Sequence, residues 1–505
     1  MPIEPKKREI AATGIKGLDD ILNGGLTRNR VYLVQGDPGV GKTTLGLQFL
    51  LEGARRGESC LYLTLSETLD ELEAVAESHH WSLDALNVFE YSAGERLQSE
   101  EESTLFHPSE VELGQATRTL LEQVERVKPA RVVFDSLSEI RLLAQNPLRY
   151  RRQILGLKQY FAGRNCTVLL LDDKNATSGD MQLMTLAHGV IMLEQLAPMY
   201  GAERRRMRVA KLRGLRYRGG FHDFTIRTGG IVVYPRLIAS EHREIFTPRR
   251  MESGITAIDS LLGGGIDRGT STLIMGPAGA GKSALSTQYV VAAAERGENV
   301  AIFAFDESRG TLFARSAAIN MNLMKHVDSG RVTVQQIDPA EIPPGEFVHL
   351  VREAVEERNI SMLVIDSLNG YMNAMPEEHF LTIQMHELLT YLDQKGVATI
   401  LVVAQHGVVG STMISPVDVS YLADCVILLR YFELSGEIRK AISVVKKRSG
   451  QHEKAIRQLT MGPDGLTVGP PLTEFRGVLS GTPLFSAPMT VFGSGADREP
   501  QPADR

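Results

Sequence analysis

The chain has 505 residues, 43% of them hydrophobic and 23% charged, with a net charge of −6. That composition describes a water-soluble globular protein without the global basic signature of a nucleic-acid binder, and the length suggests about three domains or two large ones. Three cysteines, Cys60, Cys166 and Cys425, lie far apart, which argues against a disulfide framework or a zinc site and fits a reducing cytosol. Residues 1–8 lack the apolar core of a signal peptide, and no run approaches ~20 apolar residues, so a cytoplasmic protein is expected.

From the N-terminus, the first organised stretch is Thr13-Gly-Ile-Lys-Gly-Leu-Asp-Asp-Ile-Leu-Asn-Gly-Gly-Leu26. An apolar run at residues 31–34 follows, and then Gly36-Asp37-Pro38-Gly39-Val40-Gly41-Lys42-Thr43. This octapeptide fits G-x-x-x-x-G-K-[ST], the phosphate-binding loop. Its glycines let consecutive backbone N–H groups curl round an anion, the lysine meets the β- and γ-phosphates, and the hydroxyl holds Mg²⁺. The run before it reads as a buried strand. The amphipathic run after it, from Thr44 to residue 51, reads as a helix whose N-terminus faces the phosphates. The same succession then recurs. Ser253-Gly-Ile-Thr-Ala-Ile-Asp-Ser-Leu-Leu-Gly-Gly-Gly-Ile266 leads to an apolar run, to Gly276-Pro277-Ala278-Gly279-Ala280-Gly281-Lys282-Ser283, and to a helical run from Ala284. Both pairs are shifted by 240 residues, and so are Leu65-Ser66-Glu67-Thr68 and Phe305-Asp306-Glu307-Ser308. Three elements in one register mean a duplicated domain.

Farther along, Arg131-Val-Val-Phe-Asp135-Ser136 matches Met362-Leu-Val-Ile-Asp366-Ser367. An apolar strand ending in Asp puts a carboxylate at the C-terminal edge of a sheet, where Mg²⁺ is organised. Thr43 with Asp135, and Ser283 with Asp366, are therefore the expected metal ligands. Residues 168–171 and 399–403 read as further parallel strands, with helical patterns at 113–127 and 349–358. Strands alternating with helices predict an α/β fold, a mostly parallel sheet flanked by helices in each half. Each half closes on a basic tripeptide, Lys211-Leu-Arg213 or Lys446-Lys-Arg448, and a short strand pair. Polar and proline residues at 236–250 mark the boundary. The expected domains are 1–243 and 244–470, with 471–505 a C-terminal segment whose end has a disordered composition. The cluster Arg204-Arg205-Arg206 reads as a solvated face or a subunit contact.

Nucleotide hydrolysis or transfer needs a base near the γ-phosphate. Glu67 and Glu307 follow the second apolar run of each half and are the candidates. The first half offers a single acid there, whereas Asp306 and Glu307 form a pair. Adjacent carboxylates raise one another's pKa, which favours proton abstraction from a hydroxyl. Hydrolysis in the first half and phosphotransfer in the second is a division of labour that the residues permit.

The doubled phosphate loop, Phe305-Asp306-Glu307-Ser308, Ile365-Asp366-Ser367, Lys211-Leu-Arg213-Gly214 and Lys446-Lys-Arg448 together resemble the KaiC family, circadian-clock ATPases and autokinases. The resemblance runs from about residue 13 to residue 485. It implies two tandem RecA-like P-loop NTPase domains in a double-ringed homohexamer, with ATP and Mg²⁺ at subunit interfaces. It further implies that Lys211, Arg213, Lys446 and Arg448 reach a neighbour's nucleotide, and that the second domain phosphorylates its own adjacent Ser and Thr. Ser420 matches the serine, and Ser415 falls at a further family hydroxyl. Tyr421 stands where the threonine is expected, and its phenol projects its oxygen farther from the backbone than a Thr hydroxyl does. Phosphorylation at Ser420, rather than a two-step cycle, is the expectation. Residues 471–483 are similar to the family's C-terminal loop and tail, which bind a regulator. Clock-type regulatory proteins are thus implied partners at the tail and the first ring. Two other classes remain open: an ATPase scaffold without kinase activity, which Tyr421 favours, and a DNA-dependent RecA-like motor. The motor needs basic loops lining a channel, and residues 175–181 and 406–418 carry little positive charge. Neither nucleic acid nor membrane is expected as a partner.

Overall fold

The computed structural model describes residues 9–91, 108–174, 180–372, 380–405, 421–478 and 484–485. Each half builds one nine-stranded sheet. In the first, the strand Val31–Gly36 lies between Thr167–Asp173 and Gly189–Leu196, parallel to both. The parallel set continues through Arg131–Asp135 and Cys60–Thr64 to Asn87–Glu90 at one edge. On the other side Arg204–Leu212, His222–Arg227 and Gly230–Tyr234 run as an antiparallel meander. The second half repeats this order strand for strand around Ser271–Gly276. The described residues divide into two compact units between Leu237 and Ile238, with Ala340–Leu350 grouped with the first.

Why the central strands read as unbroken apolar runs follows from their burial on both faces. Tyr32 and Val34 join Leu45, Leu47, Phe49 and Leu50 of the helix Lys42–Arg55 in one core cluster. The intervening Leu33 turns to the opposite face and joins Leu120, Ile140, Ile154 and Leu157. Each such buried Leu stabilises the fold by about 1.5–3 kcal/mol. The glycine-rich opening motif has a local role in both halves. Asp19 accepts the Thr13 N–H at 2.8 Å, Asp259 accepts the Ser253 N–H at 2.7 Å, and each Asp sits in a short helix ahead of the phosphate loop.

One fully buried cation is held by an acid and two carbonyls. The guanidinium of Arg131 is fully buried, 2.6 Å from Glu58, and donates to the carbonyls of Ala12 and Phe49. Of the arginine triplet, Arg204 is buried, Arg205 pairs with Glu203 at 2.7 Å, and Arg206 pairs with Glu194 at 3.0 Å. Near the end of the described chain, Phe475 packs on a small cluster of Phe432, Ala441 and Val478.

One buried group contributes a loss of stability on acidification to the first half. The Nδ1 of His222 accepts the Arg236 N–H at 2.9 Å, and its Nε2 lies 2.9 Å from the Arg218 carbonyl, so the neutral Nε2–H tautomer satisfies both. Burial pushes its pKa down from 6.5 to about 4. Between those values the unfolded chain binds a proton that the folded chain refuses, so stability is lost as pH falls below 6.5 and the loss levels off below 4. The full penalty is roughly 3 kcal/mol. Burial of Glu67 gives the opposite slope over much of this range, so the measurement is a difference: the urea midpoint of the wild type relative to His222→Gln should fall between pH 6.5 and pH 4.

Candidate functional site

Both phosphate loops sit at the carboxyl end of the central strand, where neighbouring parallel strands deliver their last residues. Gly41 and Gly281 turn the chain into its helix with φ of 108° and 105°, in the left-handed region that glycine adopts without strain. The backbone N–H groups of the helix start, Lys42–Arg55 or Lys282–Glu295, then face the loop.

Four predicted residues of the first half come together. Thr43 Oγ1 lies 3.0 Å from Asp135 Oδ2 and 3.2 Å from Glu67 Oε1. Lys42 donates to the carbonyls of Gly36 and Asp37, at 3.1 Å and 3.0 Å, and pairs with Asp173 at 2.8 Å. Glu67 is set by its own turn: its N–H donates to Thr64 Oγ1, whose hydroxyl returns a bond to the Glu67 carbonyl. A capping box formed by Thr68 and Glu71 starts the next helix, Leu69–Ser78. Burial, and then the nearby Asp135 carboxylate, push Glu67 up to about 7. Its Oε2 is buried without a hydrogen-bond partner among the described residues. Asp135 is also raised by burial, opposed by bonds from Tyr62 and Thr43. The buried Tyr62 donates to Asp135 Oδ2 at 2.5 Å.

The second site shares the frame and differs in the details. Lys282 donates to the Pro277 carbonyl at 2.8 Å, and burial lowers its pKa. Asp366 is raised by desolvation, with Ser283 as its first opposing partner. The expected carboxylate pair is split. Asp306 accepts from Ser367 Oγ, while both oxygens of Glu307 are taken by Arg315, at 3.1 Å and 2.8 Å. In the helix Leu69–Ser78 the position matching Arg315 is Val75.

The basic tripeptides reach backbone carbonyls. Lys211 Nζ donates to Met184, Thr185 and Ala187, and Arg213 also donates to Thr185. Lys446 donates to Ala423, while Arg448 donates to the Tyr421 carbonyl at 3.0 Å and lies 3.3 Å from Asp424. Desolvation lowers both lysines, and the arginine two residues on adds to it. Tyr421 is 53% exposed. Ser415 and Ser420 lie outside the described residues, as do residues 175–179 and the stretch 406–418.

Sequence reasoning missed Tyr62, Asp173 and Arg315. Asp173 had a signal, since it closes an apolar strand as Asp135 does. Tyr62 reads as core, and Arg315 reads as an exposed helix residue until the fold folds it back on Glu307.

A family model described as "ATPase: KaiC" matches residues 11–238 and again residues 251–473. The chain belongs to the KaiC ATPase family. The two sheets are accordingly tandem RecA-like domains, each matched by one copy of the KaiC model. Among curated relatives, the circadian clock protein KaiC3 of Synechocystis is 25% identical over 485 residues, 95% of each chain. The circadian clock oscillator protein KaiC of Parathermosynechococcus lividus is 26% identical, covering 95% of this chain and 88% of its own. That of Synechococcus elongatus is 25% identical, covering 93% and 91%.

The residues fit a magnesium–nucleotide complex. Each site offers a hydroxyl beside a strand-end carboxylate, and the first adds the unpartnered Glu67 oxygen. Among the described residues no three His, Cys, Asp or Glu side chains are grouped to hold a metal by themselves. A hard cation that keeps waters and takes phosphate oxygens suits so sparse a ligand set.

Proposed function

We propose that this family ATPase is a homohexamer that hydrolyses ATP in its first domain and phosphorylates its own Ser420 in its second. The observation that carries the reading is the convergence of Lys42, Thr43, Glu67 and Asp135 at one sheet edge, repeated in outline by Lys282, Ser283, Asp306, Glu307 and Asp366.

In this reading the loop residues Gly36–Thr44 and Gly276–Ala284 bind the phosphates. Lys42 and Lys282 neutralise the β- and γ-phosphate charge. Thr43 with Asp135, and Ser283 with Asp366, would hold Mg²⁺, which would supply further neutralisation. Glu67 orients the attacking water and takes its proton at the buried Oε2, which has no competing donor among the described residues. In the second domain Asp306 and Glu307 are the carboxylates that accept the serine proton, through lone pairs left beside their bonds from Ser367 and Arg315, and Arg315 fixes the orientation of Glu307.

Assembly completes the sites. Arg213 and Arg30 line a concavity of about 430 Å³ with Glu9 and with Arg28, which is paired with Glu58; the two arginines are the cations it offers to a neighbour's phosphates. Arg448 ties the carbonyl of Tyr421 to the basic tripeptide, while Ser271, at the start of the phosphate-loop strand, holds Leu422 and Asp424. A phosphate on Ser420 brings about −1.5 to −2 charges next to this network, enough to redistribute its arginine and lysine partners. Clock-type regulators at the C-terminal segment and the first ring are the partners proposed. Among the described residues no helix is long and apolar enough to cross a membrane; a cytoplasmic site of action is part of the proposal.

The reading yields several expected outcomes. In a Lys282→Ala background, which isolates the first site, Glu67→Gln should lower steady-state ATP hydrolysis by roughly 10²-fold, the usual share of a positioned base. Light scattering with ATP and Mg²⁺ should give a hexamer-sized particle that Lys42→Ala weakens. Ligand at an interface stabilises the assembly by about 2.7 kcal/mol at a hundredfold excess over Kd, and a monomer under saturating ATP would refute assembly. Tandem mass spectrometry after incubation with ATP and Mg²⁺ should place phosphate on Ser420 and little on Tyr421, with Glu307→Gln suppressing it and Glu67→Gln sparing it. Phosphate mainly on Tyr421 would contradict the Ser420 assignment, and none at either residue would favour an ATPase scaffold.

A further inference from the structure

Asp173 closes the strand Thr167–Asp173 directly beside the first phosphate loop, paired in register with Gly36. Its carboxylate is held from two sides. Oδ1 lies 2.8 Å from Lys42 Nζ, and Oδ2 accepts from Ser138 Oγ at 3.0 Å. The backbone N–H of Asp173 also reaches Ser138 Oγ, at 3.3 Å, so one hydroxyl fixes both the strand end and the side chain. The Lys42 ammonium, hydrogen bonds to it and Ser138 hold the carboxyl below its ordinary range despite burial.

The second half provides an internal control. The residue paired with Gly276 is Ala404, which has no carboxylate to offer Lys282. At the position of Ser138 stands Asn369, which bonds only the backbone of that strand end: its Nδ2 donates to the Ala404 carbonyl at 3.2 Å, and its Oδ1 accepts the Ala404 N–H at 2.9 Å. The exchange of Ser138 and Asp173 for Asn369 and Ala404 is thus paired. One set aims a negative charge at the loop lysine, and the other braces the same strand end without it.

We infer that Asp173 is a positioning residue that sets the first site's affinity for nucleoside triphosphate by competing with the phosphates for Lys42, an ion pair that no residue at the matching strand end offers Lys282. Lys42 is the cation that meets the β- and γ-phosphates. To bind them it has to exchange its carboxylate partner for phosphate oxygens, and the displaced carboxylate then stands near the incoming negative charge. Both effects weaken binding of the triphosphate. Removing the Asp173 charge is therefore expected to lower the ATP concentration at which the first domain is loaded.

The inference rests on the reading of both loops as ATP sites, and the test separates the two. Equilibrium dialysis of ATP with Mg²⁺ against the full chain carrying Lys282→Ala measures the first site. Saturable binding there upholds the site; its absence overturns the ATP reading itself. With binding established, Asp173→Asn, which keeps the size and removes the charge, should tighten Kd roughly tenfold. In hydrolysis assays it should lower KM by a similar factor with kcat little changed, a split that a general loosening of the fold does not produce. The reciprocal change, Ala404→Asp in a Lys42→Ala background, should weaken ATP binding at the second site about tenfold, and it decides the matter if Asp173→Asn does not fold. An unchanged or weaker first-site Kd in Asp173→Asn, or an unchanged second-site Kd in Ala404→Asp, would overturn the inference.

Discussion

Everything in each half serves to bring one hydroxyl to strand-end carboxylates. Thr43 meets Glu67 from 24 residues away in sequence and Asp135 from 92 residues away. Only a parallel sheet, in which every strand ends at the same edge, can deliver such distant residues to one point. The requirement extends to the turn. A Cβ on Gly41 would lie 2.7 Å from Ile226 Cδ1, and its φ of 108° is one that other residues adopt at a cost. The strand, the left-handed turn and the helix start are thus one unit, and the apolar core on both faces of the sheet holds that unit still.

Much of this was legible in the sequence because it depends on local pattern. The helix expected at 113–127 lies within Pro108–Val127, and that expected at 349–358 within Pro344–Arg358. The phosphate loops, the strands ending in Asp135 and Asp366, and the duplication each leave a signature within a few residues. The details that distinguish the two sites do not. Arg315 looks like any helix-surface arginine, and only the turn after Asp306 and Glu307 brings it back onto Glu307. The adjacency of two carboxylates suggested mutual repulsion; in the fold each finds its own donor, Ser367 or Arg315. Tyr62 occupies a core position in a central strand, and its hydroxyl matters only because Arg131–Asp135 is the neighbouring strand.

Those details make a duplicated chain more than a repetition. At several matched positions the halves carry different chemistry, among them Tyr62 against Ile302 behind the strand-end Asp, Val75 against Arg315 behind the glutamate, and Asp173 against Ala404 at the strand end beside the phosphate loop. In the first half the additions give Asp135 and Lys42 further partners and leave one Glu67 oxygen without a partner among the described residues. In the second half the addition holds the glutamate itself. One frame thus supports two electrostatic environments, and this is the physical basis for proposing different work in the two halves.

The central claim is that both loops are working nucleotide sites on a common frame. The number of ATP molecules bound per chain tests it most directly, by dialysis to saturation with Mg²⁺. The account predicts about two per chain, with at least one lost in Lys42→Ala and in Lys282→Ala alike, since each lysine serves its own loop and assembly links the sites. A single ATP per wild-type chain, or a count that either substitution leaves unchanged, would contradict it.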